Sequence, residues 1–167
     1  MDFYEVVKKR YSCRKYLNKK VEDEKIQKIF DAVRFAPTAR NYQEWKFYLI
    51  RDERKKAELQ VAAKNQSFIS QADIVIVGVG TNIGYTMTCG YPAYVIDLAI
   101  AMEHLALAAT TEGLGTCWIG AFYKDKVKEI LNLGPDEEPV QLMTLGYPAD
   151  EYINKKRKEI EEIIIEI

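Results

Sequence analysis

The chain of 167 residues carries 24 Lys+Arg against 25 Asp+Glu, a net charge of −1, and 48% of it is hydrophobic. That length suits one domain, the apolar fraction can fill a core, and the composition excludes a disordered chain. The balanced charge argues against nucleic acid as the main partner, because phosphate binding needs a strong positive excess. No apolar run is read as approaching the roughly 18–20 residues of a membrane span. Met1-Asp2-Phe3-Tyr4-Glu5 lacks the basic start and apolar stretch of a signal peptide. Cys13, Cys89 and Cys117 are far apart and odd in number, which argues against a disulfide framework or structural zinc and fits a reducing cytoplasm. A single histidine, His104, excludes a His-rich metal site.

Phe3, Val6, Val7 and Arg10 follow a helical rhythm, so the chain opens with a short helix. A second helix is predicted from Glu22 to Phe35, with Asp23 as its N-cap, Ile26, Ile29, Phe30 and Val33 as its apolar stripe, and Pro37 behind its end. Trp45 to Ile50 alternates as a strand that buries Trp45, Phe47 and Leu49 on one face. A helix near Arg54–Lys64 follows. The β-branched run Ile74 to Val79 reads as a strand covered on both faces, and Thr81 to Pro92 as a loop. Ala93 to Glu112 is a long helix apolar nearly all round, suited to a core or a subunit interface. Gly113 ends it, and Thr116 to Gly120 forms a short strand. Lys124 to Leu131 is a helix stopped near Gly134-Pro135, and Val140 to Leu145 is the last core strand. The pattern is an α+β domain; strand order is open.

Several stretches carry polar groups able to do chemistry. Arg10-Tyr11-Ser12-Cys13-Arg14 sets two guanidinium forks and a hydroxyl at a helix-to-loop junction, which fits either an oxyanion site or a solvated basic turn. Ala36 to Trp45 holds a rigid Pro, small residues and two amides; it reads as a binding loop or as a turn anchored by Trp45. Gly113-Leu114-Gly115-Thr116-Cys117-Trp118-Ile119-Gly120 permits close backbone approach but is neither a dinucleotide fingerprint nor a phosphate loop. Lys155-Lys156-Arg157-Lys158 is a solvated face or the completion of a phosphate site. His104, Asp97 and Glu103, on the apolar helix, read as structural.

The order of these segments resembles the FMN-dependent nitroreductase family. Arg10-Tyr11-Ser12-Cys13-Arg14-Lys15-Tyr16 is similar to its R-x-S-x-R-x-[FY] opening, and Val21-Glu22-Asp23-Glu24 to the start of its second helix. Ala36-Pro37-Thr38-Ala39-Arg40-Asn41-Tyr42-Gln43-Glu44-Trp45 is similar to its A-P-[ST]-[AS]-x-N-x-Q-P-W loop. Asp97 to Gly120 resembles its central helix and G-L-G-[TS]-C-W-I-G strand, and Leu145-Gly146-Tyr147-Pro148 its L-G-Y-P. The resemblance spans nearly the whole chain. It implies that residues 1–167 form one FMN-binding domain of nitroreductase-like fold, with a central, mainly antiparallel sheet flanked by helices, in an intertwined homodimer. FMN would sit at the subunit interface.

Carried over by position, the resemblance places Arg10 and Ser12 at the phosphate end of the flavin, joined by Arg157 and Lys155, and counts Tyr11 among the residues that bind the cofactor. It places Arg14 at the pyrimidine edge, where a fixed positive charge favours the reduced ring. Pro37, Thr38, Ala39, Asn41 and Gln43 of one subunit would line the ring held by the other. Trp118, Ile119 and Gly120 would approach the ring by backbone and side chain, and Asn65 matches an amide that contacts flavin in some members. Glu44 replaces the usual Pro, Arg40 fills a position that is often small, and the 81–92 segment is short, which suggests an open site. The implied activity is reduction of nitro compounds, quinones or flavins by NADH or NADPH through ping-pong hydride transfer, with no protein nucleophile and no metal. Reductive dehalogenation, azoline oxidation and non-catalytic flavin binding are the alternatives on the same fold.

Overall fold

Four antiparallel strands in the order β1-β2-β4-β3 organise the chain, and the computed structural model describes residues 1–152 and 155–167 of it. The strands are β1 (Trp45–Ile50), β2 (Ile74–Gly80), β3 (Gly115–Ile119) and β4 (Glu138–Gly146). The helices are α1 (Phe3–Lys9), α2 (Asp23–Val33), α3 (Glu53–Ala62), α4 (Phe68–Gln71), α5 (Ala93–Thr111) and α6 (Lys124–Leu131). Every residue of β2 is buried, as its unbroken apolar run predicts.

The period of a strand divides this core in two. Ile74 and Ile76 of β2, with Met143 and Leu145 of β4, pack on Ile29 and Val33 of α2 and on Met102, Leu105 and Ala106 of α5. Val75, Val77 and Val79 face the other way, onto Leu59 and Ala62 of α3, Phe68 and Ile69 of α4, and Val127 of α6. Helices therefore cover both faces of the sheet, and α5 lies along one of them.

Several expectations change in detail. Asp23 does not cap α2: Glu22 takes the cap position without a side-chain bond to the helix, and Asp23 turns outward to Arg51 at 3.0 Å. β1 is not a strand with one buried face. It is an edge strand that shares itself between both layers, with Trp45 and Phe47 on one, Tyr48 and Ile50 on the other, and Leu49 41% exposed. Asn132, in the left-handed conformation at φ 52°, ends α6 before Gly134-Pro135 is reached. Helix α4 has no counterpart in the sequence reading, because four residues are too few for a periodic signal. Contrary to the expectation for membrane spans, the 19-residue α5 is long and apolar enough to be one by length and composition. Its Leu98, Ala101, Met102, Leu105 and Ala109 are fully buried against protein, which is the setting of a core helix.

Two close approaches fix where the N-terminal segment lies. A Cβ on Gly115 would stand 2.8 Å from the Cys13 sulfur, and one on Gly146 would stand 2.9 Å from the Tyr16 ring. Glycine at both positions lets residues 12–16 lie beside the free edge of β3, where Ser12 bridges Thr116 and the Cys13 N–H donates to the Thr116 carbonyl at 2.9 Å.

Candidate functional site

Residues 10–14 leave α1 and run along β3, and the end of β4 delivers the chain to the same place. Asp150 makes the junction. Its Oδ2 accepts the Arg14 backbone N–H at 2.8 Å, and its Oδ1 accepts the Tyr11 hydroxyl at 2.9 Å and the Cys13 thiol at 3.0 Å. Burial alone would raise the Asp150 carboxyl, but these three bonds outweigh it and hold the group below its usual value. The Tyr11 hydroxyl is thus committed to Asp150, and its ring stands edge-on to Tyr152.

The basic residues foreseen at the two ends of the chain converge here. Arg10, Lys155 and Arg157 line one cleft of about 260 Å³ together with Lys8, Val7 and Tyr152. The Lys155 ammonium is held below the usual lysine value by burial and by the charges of Arg10, Arg157 and Arg14. Burial raises the buried Cys117 thiol of β3, and Arg14, Ser12 and Lys155 all oppose that rise. Arg10, Ser12, Arg14, Lys155 and Arg157 therefore share one cationic surface at the edge of β3. Arg14 also donates to the Ser12 carbonyl at 3.3 Å and lies 6.0 Å over the Phe68 ring.

Glu103 of α5 connects this surface to the strand. Its carboxylate lies 3.7 Å from Arg10 Nε. Burial raises the Glu103 carboxyl, while the Arg10 charge and the nearby Trp118 draw it down. Glu103, a structural residue by its sequence setting, thus pairs with Arg10 of the predicted site.

β3 ends at the open part of the surface. Trp118 is half-buried and Gly120 is exposed, with nothing within 4 Å of where a Cβ would stand. Ile119 is only 2% exposed and its side chain belongs to the core, so its backbone alone can face a ligand. Asn65, exposed and left-handed at φ 57°, lies on the α3–α4 connection. The neighbouring Gln66 amide reaches the Ala121 carbonyl at 3.4 Å, which brings that connection beside the end of β3.

The 37–43 loop is anchored elsewhere on α5. The Ala39 N–H donates to both carboxylate oxygens of Asp97, at 3.1 and 3.2 Å. Burial raises the Asp97 carboxyl despite that bond. The Thr38 hydroxyl accepts the Gln43 N–H at 3.1 Å, and the Gln43 amide donates to the Asn41 carbonyl at 3.2 Å. Pro37, Asn41 and Gln43 are exposed. Asp97 and Glu103 are separated by about 9 Å along an ideal helix and by about 120° around it. One chain thus presents the loop and the cationic surface on different sides of α5.

Among the described residues no cluster of His, Cys, Asp and Glu could hold a metal ion. The residue that sequence reasoning missed is Asp150, which lies just beyond the L-G-Y-P segment and carried no pattern of its own.

A family profile described as "Putative TM nitroreductase" matches residues 2–166. A Methanothermobacter thermautotrophicus protein named "Putative NADH dehydrogenase/NAD(P)H nitroreductase" is 31% identical over 154 residues, covering 90% of this chain and 79% of that protein. A Staphylococcus haemolyticus "NADPH-dependent oxidoreductase" is 28% identical over 165 residues, and the match covers 65% of its length. Among solved structures, a nitroreductase family protein from Clostridium novyi NT superposes with a TM-score of 0.86 at 34% identity, covering 99% of this chain and 100% of that one. The α+β fold and the motif order agree with these likenesses, and the chain belongs to the nitroreductase family.

Proposed function

We propose that this protein is an FMN-dependent oxidoreductase that uses NADH or NADPH to reduce nitro compounds, quinones or flavins by a ping-pong mechanism. It works as a homodimer with FMN at the subunit seam, in the cytoplasm. The observation that carries this reading is the convergence of Arg10, Arg14, Lys155 and Arg157 on one surface, with Lys155 held below its usual value by burial and by the charges of the other three. Gathered cations of this kind suit a dianionic phosphate, which would relieve their mutual repulsion.

The residues present fit FMN. Arg10, Arg157 and Lys155 would hold its phosphate, with the Ser12 hydroxyl as a further donor. Glu103 takes Arg10 through Nε, which leaves the terminal nitrogens of that guanidinium free for oxyanions. Arg14 would set a fixed positive charge at the pyrimidine edge. The exposed Gly120 leaves room for a flat ring against the end of β3. When bound, FMN supplies hydride acceptance and donation, so no protein nucleophile is required. The protein's part is to bind, orient and tune.

The 37–43 loop and the cationic surface sit on different sides of α5, so a ring enclosed by both needs a second copy. An apolar cleft of about 480 Å³ between α1, α2 and α5 is lined by Phe3, Val6, Ala32, His104, Leu107 and Ala108. Val95 and Ile96 of α5 are exposed, as are Ile160, Ile163, Ile164 and Ile165 of the tail. Surface of that extent is what a large obligate interface covers. Cys13, Cys89 and Cys117 are all free thiols, which suits a reducing compartment.

The test is the absorption spectrum of the purified protein before and after anaerobic addition of NADH or NADPH. A flavin spectrum that bleaches on either addition is expected. A colourless protein that ignores added FMN, or a flavin colour that persists, refutes the reading.

A further inference from the structure

Among the described residues, Arg10, Arg34, Arg51 and Arg54 each face a carboxylate. Arg14 and Arg157 belong to the cationic surface at β3. Arg40 remains: it is in no ion pair, and it lies outside that surface, in the 37–43 loop between Ala39 and Asn41.

Its guanidinium is nevertheless held in place. Arg40 Nη1 donates to the Tyr42 hydroxyl at 3.3 Å, and the guanidinium carbon lies 5.2 Å from the centre of the Tyr85 ring. Tyr42 and Tyr85 meet edge to face at 5.7 Å. The backbone that presents them is unusual, since Arg40, Asn41 and Gln43 have φ of 54°, 57° and 54°. Such conformations are costly for residues with side chains and persist only where the surroundings impose them.

Glu44, the nearest acid in sequence, is engaged elsewhere. Its carboxylate accepts the Asn82 amide at 2.8 Å, and its carbonyl accepts the Thr81 N–H at 3.1 Å. These bonds fasten the 81–92 segment to the loop and bring Tyr85 to Arg40. Two departures from the family pattern thus act together: Glu44 docks the short segment, and the segment supplies an aromatic platform for Arg40. A guanidinium held over a ring keeps the nitrogens not bonded to Tyr42 free for oxyanions.

We propose that Arg40 is a specificity-determining residue that binds an anionic group on the exchanging substrate. That group is either the 2′-phosphate of NADPH or a carboxylate on the electron acceptor. The assignment rests on the flavoenzyme reading, which places this loop at the ring.

The experiment compares wild type, Arg40→Ala and Arg40→Lys in two steady-state arms and one binding arm. The first arm measures kcat/KM for NADPH and NADH. The second measures it for 4-nitrobenzoate and 4-nitrobenzyl alcohol. In the third, calorimetry measures binding of adenosine 2′,5′-bisphosphate and of AMP. Wild type is expected to favour the anionic member of at least one kinetic pair. Arg40→Ala should lower kcat/KM for that member about tenfold, the scale of a charge-assisted contact, while the neutral or less charged member stays within about twofold and Arg40→Lys restores part of the preference. Selective loss with NADPH, accompanied by weaker bisphosphate binding, assigns the donor's phosphate. Selective loss with 4-nitrobenzoate alone assigns the acceptor. Equal loss for both members of each pair, no loss in either, or no wild-type preference overturns the proposal. A protein that fails to bind flavin refutes the functional reading instead, and the calorimetric arm still reports on Arg40 in that event.

Discussion

The Asp150 carboxylate accepts the backbone N–H of Arg14 at 2.8 Å, across 136 positions of sequence. Through it, the segment that follows the last strand clamps the segment that follows the first helix. The same carboxylate takes Tyr11 and Cys13, so residues 11–14 are oriented from one point.

Removing that clamp should cost stability and flavin affinity together. One hydrogen bond to a charged acceptor contributes about 1.5–3 kcal/mol, and Asp150 accepts three, so Asp150→Ala should lose at least that much in urea unfolding. The folded group lies below its usual value. Its contribution is therefore complete above about pH 5, where the unfolded carboxylate is ionised, and is lost as pH falls through the lower folded value. The gap between wild type and Asp150→Ala should narrow on acidification from pH 5 to pH 2.5. A gap constant across that range would assign the effect to packing rather than charge.

Arg10→Ala and Arg157→Ala should each weaken FMN binding by roughly tenfold or more, from one lost charged contact. Flavin fluorescence titration measures it. Riboflavin, which lacks the phosphate, should bind both variants about as it binds wild type.

Arg14→Ala should weaken FMN binding and slow flavin reduction even when the flavin is saturating. Stopped-flow reduction by NAD(P)H at the wild-type rate would count against a tuning role.

The glycines around β3 should separate folding from binding. A side chain at Gly120 meets open space, so Gly120→Val should leave the melting temperature nearly unchanged while blocking flavin. Gly115→Val drives a side chain into Cys13 at 2.8 Å and should destabilise the fold itself.

Thiol reactivity offers a check without any cofactor. Cys89 is exposed, while Cys13 and Cys117 are buried. Burial, aided by the bond to Asp150, pushes the Cys13 thiol up to about 12. A thiol reagent at pH 8 should modify Cys89 quickly and the other two only on denaturation.

Much of this molecule is legible in its residues because the signals are local. The β2 run, the stripe of α2, the bounds of β1 and α6, and the length of α5 follow from periodicity and β-branching over short windows, and the order of motifs identifies the family. What failed was decided by neighbours at a distance. Leu49 alternates correctly yet stays 41% exposed, while its neighbour Ile50 on the opposite face is buried. Asp23 has the chemistry of a cap but meets Arg51 instead.

The site divides the same way. Sequence by itself determined which basic and amide residues were available, because composition and motif order are properties of the chain. Only the tertiary structure decided that Arg10, Arg14, Lys155 and Arg157 share one surface, that Asp150 and Glu103 hold it, and that Arg40 stands on Tyr85. Each of these is a contact between segments far apart in the chain. Its energy comes from charge, burial and direction in three dimensions, which no local pattern encodes.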